Sequence, residues 1–347
     1  MEKSKKGKSS NKPVIGISLG DINGVGPEVI IKSLLDSRII NIITPVIYGS
    51  TKILSYYRKN LGIEDFNYSQ VRDNYFNNKK INVVNCWNEM AEIHAGTSTK
   101  EGGSYAFKAL ERAVKDLKDG KIDAIVTGPI NKNNIQSDQF NFPGQTEYIT
   151  KESGKKDSLM MMVGESLRVG LVTTHLPIKD VPAQITSKNV SVKLKIFINS
   201  LKNDFGIIKP KVAVLGLNPH AGDDGLLGKE EQEIIKPVIE EFKNKGHLTY
   251  GPYPSDGFFG AAQYKNFDGI LAMYHDQGLI AFKTLSFEIG VNYTAGLEVI
   301  RTSPDHGTAY NLAGKNLASE ISMRSAIYLA KDIFKVRQPV AEELNEG

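Results

Sequence analysis

The sequence of 347 residues contains a single cysteine, Cys86. One cysteine cannot form an intramolecular disulfide, and it excludes zinc sites built from several thiolates. Cys86 lies in the segment INVVNCW, at the predicted end of a strand, where we interpret it as a buried structural thiol rather than a nucleophile. This cysteine usage is typical of a reducing compartment, so we expect a cytoplasmic protein.

Long apolar runs and one-sided charge are also missing. No apolar run approaches the ~20 residues that a membrane helix needs, so we expect no membrane partner. The net charge is only +4, and five lysines lie in the first twelve residues, MEKSKKGKSSNK, which we interpret as a disordered basic tail over 1–12. The tail has no apolar segment of the kind found in secretory signals. No basic stripe with interleaved aromatics is present, so we expect no nucleic-acid partner.

Short apolar segments rich in β-branched residues alternate with amphipathic segments of helical period. Strands are predicted over residues 13–19, 45–48, 81–85, 124–127, 168–173, 211–217 and 269–273. Helices are predicted over residues 27–36, 103–117, 188–204, 229–244 and 319–334. Continuous apolar strands alternating with helices are typical of an α/β fold, with a mostly parallel sheet covered on both faces.

Three of the six histidines follow predicted strands: His175 in RVGLVTTH, His220 in VAVLGLNPH and His275 in ILAMYH. The carboxyl ends of parallel strands share one edge of the sheet, where ligands bind. Imidazoles are ligands of zinc and other borderline divalent ions, and three protein ligands leave a coordination position open for catalysis. For each histidine taken singly, the alternative is a hydrogen-bonded structural residue.

Four segments combine glycine with polar side chains. GDINGVGPE (20–28) does not match the dinucleotide pattern G-x-G-x-x-G, so a tight turn is favoured there. VTGPINK (126–132) precedes FPGQTEY (142–148), in which Thr146 is either a helix N-cap or an anion ligand. NPHAGDDGLLGKEE (218–231) surrounds His220, and residues 274–314 carry Lys283, Asn292 and Arg301. Lysine and arginine are natural partners of phosphate and carboxylate groups, although each alone is more often a surface charge.

These segments, together with TTHLPIKDVP, MYHDQG and GVNYTAGLEVIRTSPDHGTAYNLAG, resemble the 4-hydroxythreonine-4-phosphate dehydrogenase family over about residues 14–330. The resemblance implies a two-domain α/β/α fold like that of isocitrate and isopropylmalate dehydrogenases. We expect one domain over 13–133 plus 290–340, and a second over 134–289. The resemblance also implies a homodimer with active sites at the subunit interface.

The matching positions imply the following site. A divalent metal (Zn, Mg or Co) is bound by three histidines contributed from both subunits, at positions His175, His220 and His275. A small phosphorylated hydroxy acid is bound at Gln145, Thr146, Lys283, Asn292 and Arg301. The segment HGTAYNLAG (306–314) resembles the adenosine-side loop of isopropylmalate dehydrogenases, so we expect NAD or NADP at His306, Gly307 and Thr308. A helix-capping turn is the alternative for this loop.

The reaction implied is oxidation of 4-phosphooxy-L-threonine followed by decarboxylation to 3-amino-2-oxopropyl phosphate, in pyridoxal phosphate biosynthesis. Asp256 and Asp276 are the candidates for the catalytic base. The chain departs from the family at 144–147, where it reads G-Q-T-E instead of the usual G-H-T-E, and Gln145 cannot titrate near neutral pH. Phosphorylated threonate or erythronate is therefore an alternative substrate. A metal-dependent phosphatase and a binding protein without turnover are alternatives of other classes.

Overall fold

The computed structural model describes residues 12–71 and 75–338. The expected basic tail lies outside the described residues, apart from Lys12. The chain divides into two compact units. The first unit contains the residues up to Ile149 and Val299–Lys331; the second contains Thr150–Glu298 and the residues from Asp332 onward.

The sheet of the first unit is parallel, in the order β3-β4-β2-β1-β5-β12. The central strands are buried along their length, which explains their continuous apolar sequence. The strands are β1 (Val14–Ser18), β2 (Thr44–Gly49), β3 (Tyr68–Gln70), β4 (Ile81–Asn85), β5 (Ala124–Thr127) and β12 (Ile300–Pro304).

Helices connect β1 to β2, β2 to β3 and β4 to β5, because parallel strands need a crossover connection. The longest is amphipathic: Thr99 caps its first turn by accepting from the Gly102 amide, and Ala106, Leu110 and Ala113 face the core. The helices are α1 (Gly26–Leu34), α2 (Ile39–Ile42), α3 (Thr51–Asn60), α4 (Lys100–Lys118) and α5 (Gln145–Glu152).

The sheet of the second unit is mixed, in the order β11-β6-β7-β10-β8-β9. The strands β7, β10, β8 and β9 are parallel, whereas β6 runs antiparallel to both β11 and β7. The strands are β6 (Leu159–Val163), β7 (Arg168–Leu171), β8 (Lys211–Leu215), β9 (Leu248–Tyr253), β10 (Gly269–Ala272) and β11 (Val291–Ala295). The expected α/β fold with mostly parallel sheets is confirmed.

The core of this unit is built from both faces of its central strands. Leu171, Leu215, Ile270 and Phe282 form one buried cluster. The helices are α6 (Val181–Gln184), α7 (Ser187–Asn203), α8 (Lys236–Asn244), α9 (Ser255–Gly260) and α10 (His275–Ser286), and α11 (Ile321–Arg337) contributes residues to both units. No helix in the described part of the chain has the length and apolar character needed to cross a bilayer.

The observed unit boundaries differ from those expected at 133/134 and 289/290. Residues 134–149 belong to the first unit because aromatic rings hold them there: Phe140 and Tyr148 contact Phe107 of α4, with centroids 5.6 and 5.9 Å away. The loop also approaches α4 closely at Gly103, where a Cβ atom would lie 2.0 Å from the carbonyl oxygen of Asn134. Residues 291–295 belong to the second unit because β11 pairs with β6.

Candidate active site

One edge of the second unit is formed by the carboxyl ends of β7, β10, β8 and β9, which are neighbours in that order. His175 follows β7, His275 follows β10 and His220 follows β8. Asp256, a candidate base, follows β9 in the first turn of α9. The prediction that three histidines lie just past strand ends is therefore confirmed, and side chains from four loops are available at one edge of the sheet.

His175 and His275 are neighbours at this edge, with ring centroids 5.8 Å apart. Both line a cavity of about 260 Å³, together with Asp276. Their two loops are joined at the base, because Thr173 donates from its amide and its hydroxyl to the carbonyl of Met273, over 3.1 and 2.8 Å. The pair therefore rests on buried backbone rather than on mobile loop tips.

Asp276 orients the imidazole of His275, since its Oδ1 lies 2.7 Å from Nδ1. With the carboxylate accepting, Nδ1 carries the proton and Nε2 presents its lone pair, as metal-bound histidines commonly do. This donor chemistry, two imidazoles with an adjacent carboxylate, fits a borderline divalent ion such as zinc.

His220 lies in a strained loop. It begins a run of five residues, 220–224, with φ values between 42° and 83°, and only Gly222 among them lacks a side chain. Left-handed backbone costs about 1–2 kcal/mol for each L residue, so the surrounding contacts must fix it. The buried carboxylate of Glu231 fixes the two residues that lead into this run, because its Oε1 accepts from the amides of Leu217 and Asn218, each over 2.7 Å.

The structure does not bring His220 into the group formed by His175 and His275. Within residues 12–71 and 75–338 of one chain, no three His, Cys, Asp or Glu side chains are placed to hold a metal ion. The three-histidine metal site stays a prediction, and it includes ligands from both subunits.

The two other expected substrate ligands of this unit are half-buried. Lys283 lies in the last turn of α10, and Asn292 lies on β11. Oδ1 of Asn292 is buried and has no hydrogen-bond partner. A buried acceptor of this kind is expected to find a donor, and a ligand can supply one.

In the first unit, Arg301 is the centre of a buried polar cluster. It lies on β12, is 4% exposed, and donates from Nη1 to the hydroxyl of Thr146 over 3.1 Å. Its Nε and Nη2 both donate to the hydroxyl of Thr127, at the end of β5. Burial lowers the pKa of Arg301 to about 10, while the nearby Glu147 acts in the opposite direction. The guanidinium therefore stays charged at neutral pH in a site poor in water, which favours an anionic ligand.

Gln145 and Thr146 open α5, beside the same strand end. The Gln145 amide donates from Nε2 to the carbonyl of Gly128 over 3.0 Å. Its Oε1 is buried and has no partner, although Gln145 is only 8% exposed. At the position that departs from the family pattern, the chain therefore presents a hydrogen-bond acceptor that cannot titrate.

The expected cofactor residues His306, Gly307 and Thr308 follow β12. The carbonyl of Thr308 accepts from the amide of Val25, at the start of α1, over 2.9 Å. Tyr310 donates to Oδ2 of the buried Asp21 over 2.7 Å. The loop is thus joined to the glycine-rich segment 20–28, which forms a turn before α1, as predicted.

Sequence reasoning missed several residues that hold these elements. Thr127 and Glu231 lie within segments that the sequence analysis singled out, but only the fold shows which groups their side chains bind. The same holds for Gln277 in MYHDQG, which lies two residues after His275. Glutamine is common on helix surfaces, so no sequence pattern separates a bridging amide from an exposed one.

Comparisons with known proteins identify the family. The sequence profile described as "Pyridoxal phosphate biosynthetic protein PdxA" matches residues 41–330. The chain belongs to this family. A 4-hydroxythreonine-4-phosphate dehydrogenase from Bacteroides thetaiotaomicron is 53% identical over 330 residues, covering 94% of this chain and 90% of that protein.

One relative is named for a different substrate. A putative D-threonate 4-phosphate dehydrogenase from Oceanobacillus iheyensis is 37% identical and covers 93% of this chain and 98% of its own length. Among solved structures, the 4-hydroxythreonine-4-phosphate dehydrogenase of Klebsiella pneumoniae is 31% identical, with a TM-score of 0.80, over 93% of this chain and 100% of that one.

Proposed function

We propose that this chain is a 4-hydroxythreonine-4-phosphate dehydrogenase. It would oxidise 4-phosphooxy-L-threonine at C3 with NAD or NADP, and the resulting β-keto acid would lose CO₂ to give 3-amino-2-oxopropyl phosphate. This is a step of pyridoxal phosphate biosynthesis, and we place it in the cytoplasm. The observation that carries the proposal is Arg301, a buried guanidinium held by the hydroxyls of Thr127 and Thr146 and so organised in advance for an anion.

Substrate binding is assigned to two groups of residues. Arg301, Thr146 and Gln145 bind an anionic end of the substrate and a neighbouring donor, because they offer a charged fork, a hydroxyl and an unpaired acceptor. Lys283 and Asn292 contribute an ammonium group and an amide. His306, Gly307 and Thr308 line the nicotinamide cofactor's site.

A divalent metal ion (Zn, Mg or Co) would be held by His175 and His275, with His220 completing the set from both subunits of a homodimer. When bound, such an ion polarises the substrate oxygens and so favours loss of the hydroxyl proton.

The homodimer is supported by large apolar side chains that are exposed on the second unit, among them Ile178, Ile280 and Phe287 at 70, 66 and 75%.

The two candidate bases have different surroundings. Asp276 is bound to Nδ1 of His275, so we assign it to orienting that imidazole. Asp256 is exposed in the first turn of α9 and is the better candidate to take the C3 hydroxyl proton. In the oxidation, Asp256 would take the O–H proton as the C3–H bond breaks, and a nicotinamide bound at His306, Gly307 and Thr308 would supply the hydride acceptor. In the second step, the bond from C2 to the carboxylate breaks, and a proton replaces CO₂ at C2.

A second candidate is oxidation of D-threonate 4-phosphate. It is favoured by the Oceanobacillus iheyensis relative and by Gln145, which replaces a titratable side chain. The two activities are separated by initial rates of cofactor reduction at 340 nm with each substrate, each cofactor and each metal. We expect the highest kcat/KM with 4-phosphooxy-L-threonine. A higher value with D-threonate 4-phosphate would replace the first proposal by the second.

A further inference from the structure

Gln277 joins the ends of three neighbouring strands in the second unit. It lies in the first turn of α10 and is half-buried. Its Oε1 accepts from the amide of Met273, just after β10, over 2.7 Å. Its Nε2 donates to the carbonyl of Gly216, just after β8, over 2.6 Å, and to the hydroxyl of Ser255, just after β9, over 2.7 Å.

The orientation of this amide is fixed by its partners. The backbone N–H of Met273 needs an acceptor, and the carbonyl of Gly216 needs a donor, so the oxygen and nitrogen of Gln277 cannot exchange places. A planar group with one acceptor and two donors satisfies all three contacts at once. Glutamate would lack the donors, and an aliphatic side chain would lack all three groups.

Each contact lies beside a residue of the proposed chemistry. Met273 is two residues before His275, Gly216 is four residues before His220, and Ser255 directly precedes Asp256. One side chain therefore links the loop of the oriented imidazole, the strained loop of His220 and the helix that carries the proposed base.

We propose that Gln277 is a positioning residue that sets the relative placement of His275, His220 and Asp256 at the end of the sheet. It acts through backbone and hydroxyl groups and does not itself touch substrate or metal. The chemical meaning of the three positioned residues rests on the proposed function, whereas the positioning itself rests on the three hydrogen bonds.

The first test is independent of activity and of metal. Backbone amide hydrogen exchange is compared between the wild type and Gln277→Glu, with Gln263→Glu as the matched control on an exposed glutamine of the same unit. We expect faster exchange in residues 216–222 and 255–261 of Gln277→Glu, and wild-type exchange in the control. Unchanged exchange in both segments would overturn the proposal.

The second test measures the consequence for the site. Zn²⁺ is titrated calorimetrically into metal-stripped protein, and we expect Gln277→Glu to raise the Kd by about 10–100-fold, as loss of groups that orient metal ligands commonly does. We expect kcat to fall by a larger factor than the factor by which the KM for the phosphorylated substrate changes. A variant with unchanged Zn²⁺ affinity and unchanged kcat would contradict the assigned role.

Ser255→Ala keeps the proposal testable if Gln277→Glu does not fold, because it removes one of the three contacts and leaves the other two. It is expected to increase exchange only in residues 255–261 and to lower kcat without changing Zn²⁺ affinity. The two proposals fail separately. A wild type that binds no Zn²⁺ and reduces no cofactor would end the proposed function, and altered exchange in the variants would still support the positioning by Gln277.

Discussion

Arg301 donates two hydrogen bonds to the hydroxyl of Thr127, over 3.1 Å from Nε and 2.8 Å from Nη2. The two residues lie on neighbouring parallel strands, β12 and β5. Because Thr127 lies at the buried end of a central strand, it gives the guanidinium a hydrogen-bond acceptor in a fixed position. The orientation of the Arg301 guanidinium is therefore set by the sheet rather than by a loop.

These two hydrogen bonds predict weaker substrate binding in Thr127→Val, which keeps the shape of the side chain and removes its hydroxyl. A hydrogen bond to a charged group contributes about 1.5–3 kcal/mol, so we expect the KM for the phosphorylated substrate to rise by about tenfold or more. Thr127→Ser keeps the hydroxyl and should stay close to the wild type. Equal KM values for the valine and serine variants in steady-state assays would show that the hydrogen bonds between Arg301 and Thr127 have no role in substrate binding.

We expect substitutions of the two aspartates near the histidines to have different effects. Asp256→Asn should lower kcat by about 10²–10⁴-fold, the usual contribution of a general base, with little change in Zn²⁺ affinity. Asp276→Asn should instead raise the Kd for Zn²⁺ by about 10–100-fold, because it disturbs the proton on Nδ1 of His275. Calorimetry and initial rates on the same preparations check both. The reverse pattern would exchange the two assignments.

Tyr310→Phe tests the expected cofactor loop. The phenol donates to the buried carboxylate of Asp21, and its loss removes one of the contacts that hold the loop carrying His306–Thr308. We expect the KM for NAD or NADP to rise several-fold, while the KM for the phosphorylated substrate stays unchanged. Tyr56→Phe is the control, because Tyr56 is 44% exposed. A change confined to the substrate KM would argue against a cofactor role for this loop.

Cys86 is expected to be unreactive in the folded protein. Burial raises the pKa of its thiol to about 12, so the reactive thiolate is scarce at pH 8. A thiol reagent such as dithionitrobenzoate should label native protein slowly at pH 8 and label guanidinium-unfolded protein at once. Labelling of native protein should accelerate only as the pH rises toward 12. Rapid labelling at pH 8 would show an exposed or activated thiol.

The sequence predicted the strands that contain a nearly continuous apolar run. Each of the seven predicted strands is present, because a strand covered on both faces shows an uninterrupted apolar run. Among the strands that were missed, β9 (LTYGPY) carries glycine and proline and is only partly buried, whereas β12 (IRTSP) is buried along its length but has a largely polar sequence. Helix α10 was also missed, since its first turn, HDQG, is polar and its apolar period is weak.

The candidate site was predictable residue by residue, but its supports were not. Strand ends and the family resemblance identified His175, His275 and Arg301. The roles of Thr127, Glu231 and Gln277 depend on which polar groups lie within about 3 Å of their side chains, and that is a property of the folded sheet edge. For His220, the position after a strand was predicted correctly. Its left-handed backbone was not predicted, because the sequence NPHAGDD has no pattern that indicates it.

The central claim is tested most directly by the product balance of one reaction. Purified protein with Zn²⁺, Mg²⁺ or Co²⁺ is incubated with 4-phosphooxy-L-threonine and NAD or NADP, and reduced cofactor, CO₂ and inorganic phosphate are quantified together. The account predicts equal amounts of reduced cofactor and CO₂, with no phosphate released. Phosphate release without cofactor reduction would contradict it and indicate a phosphatase, and binding of the substrate without any product would indicate a protein that has lost catalysis.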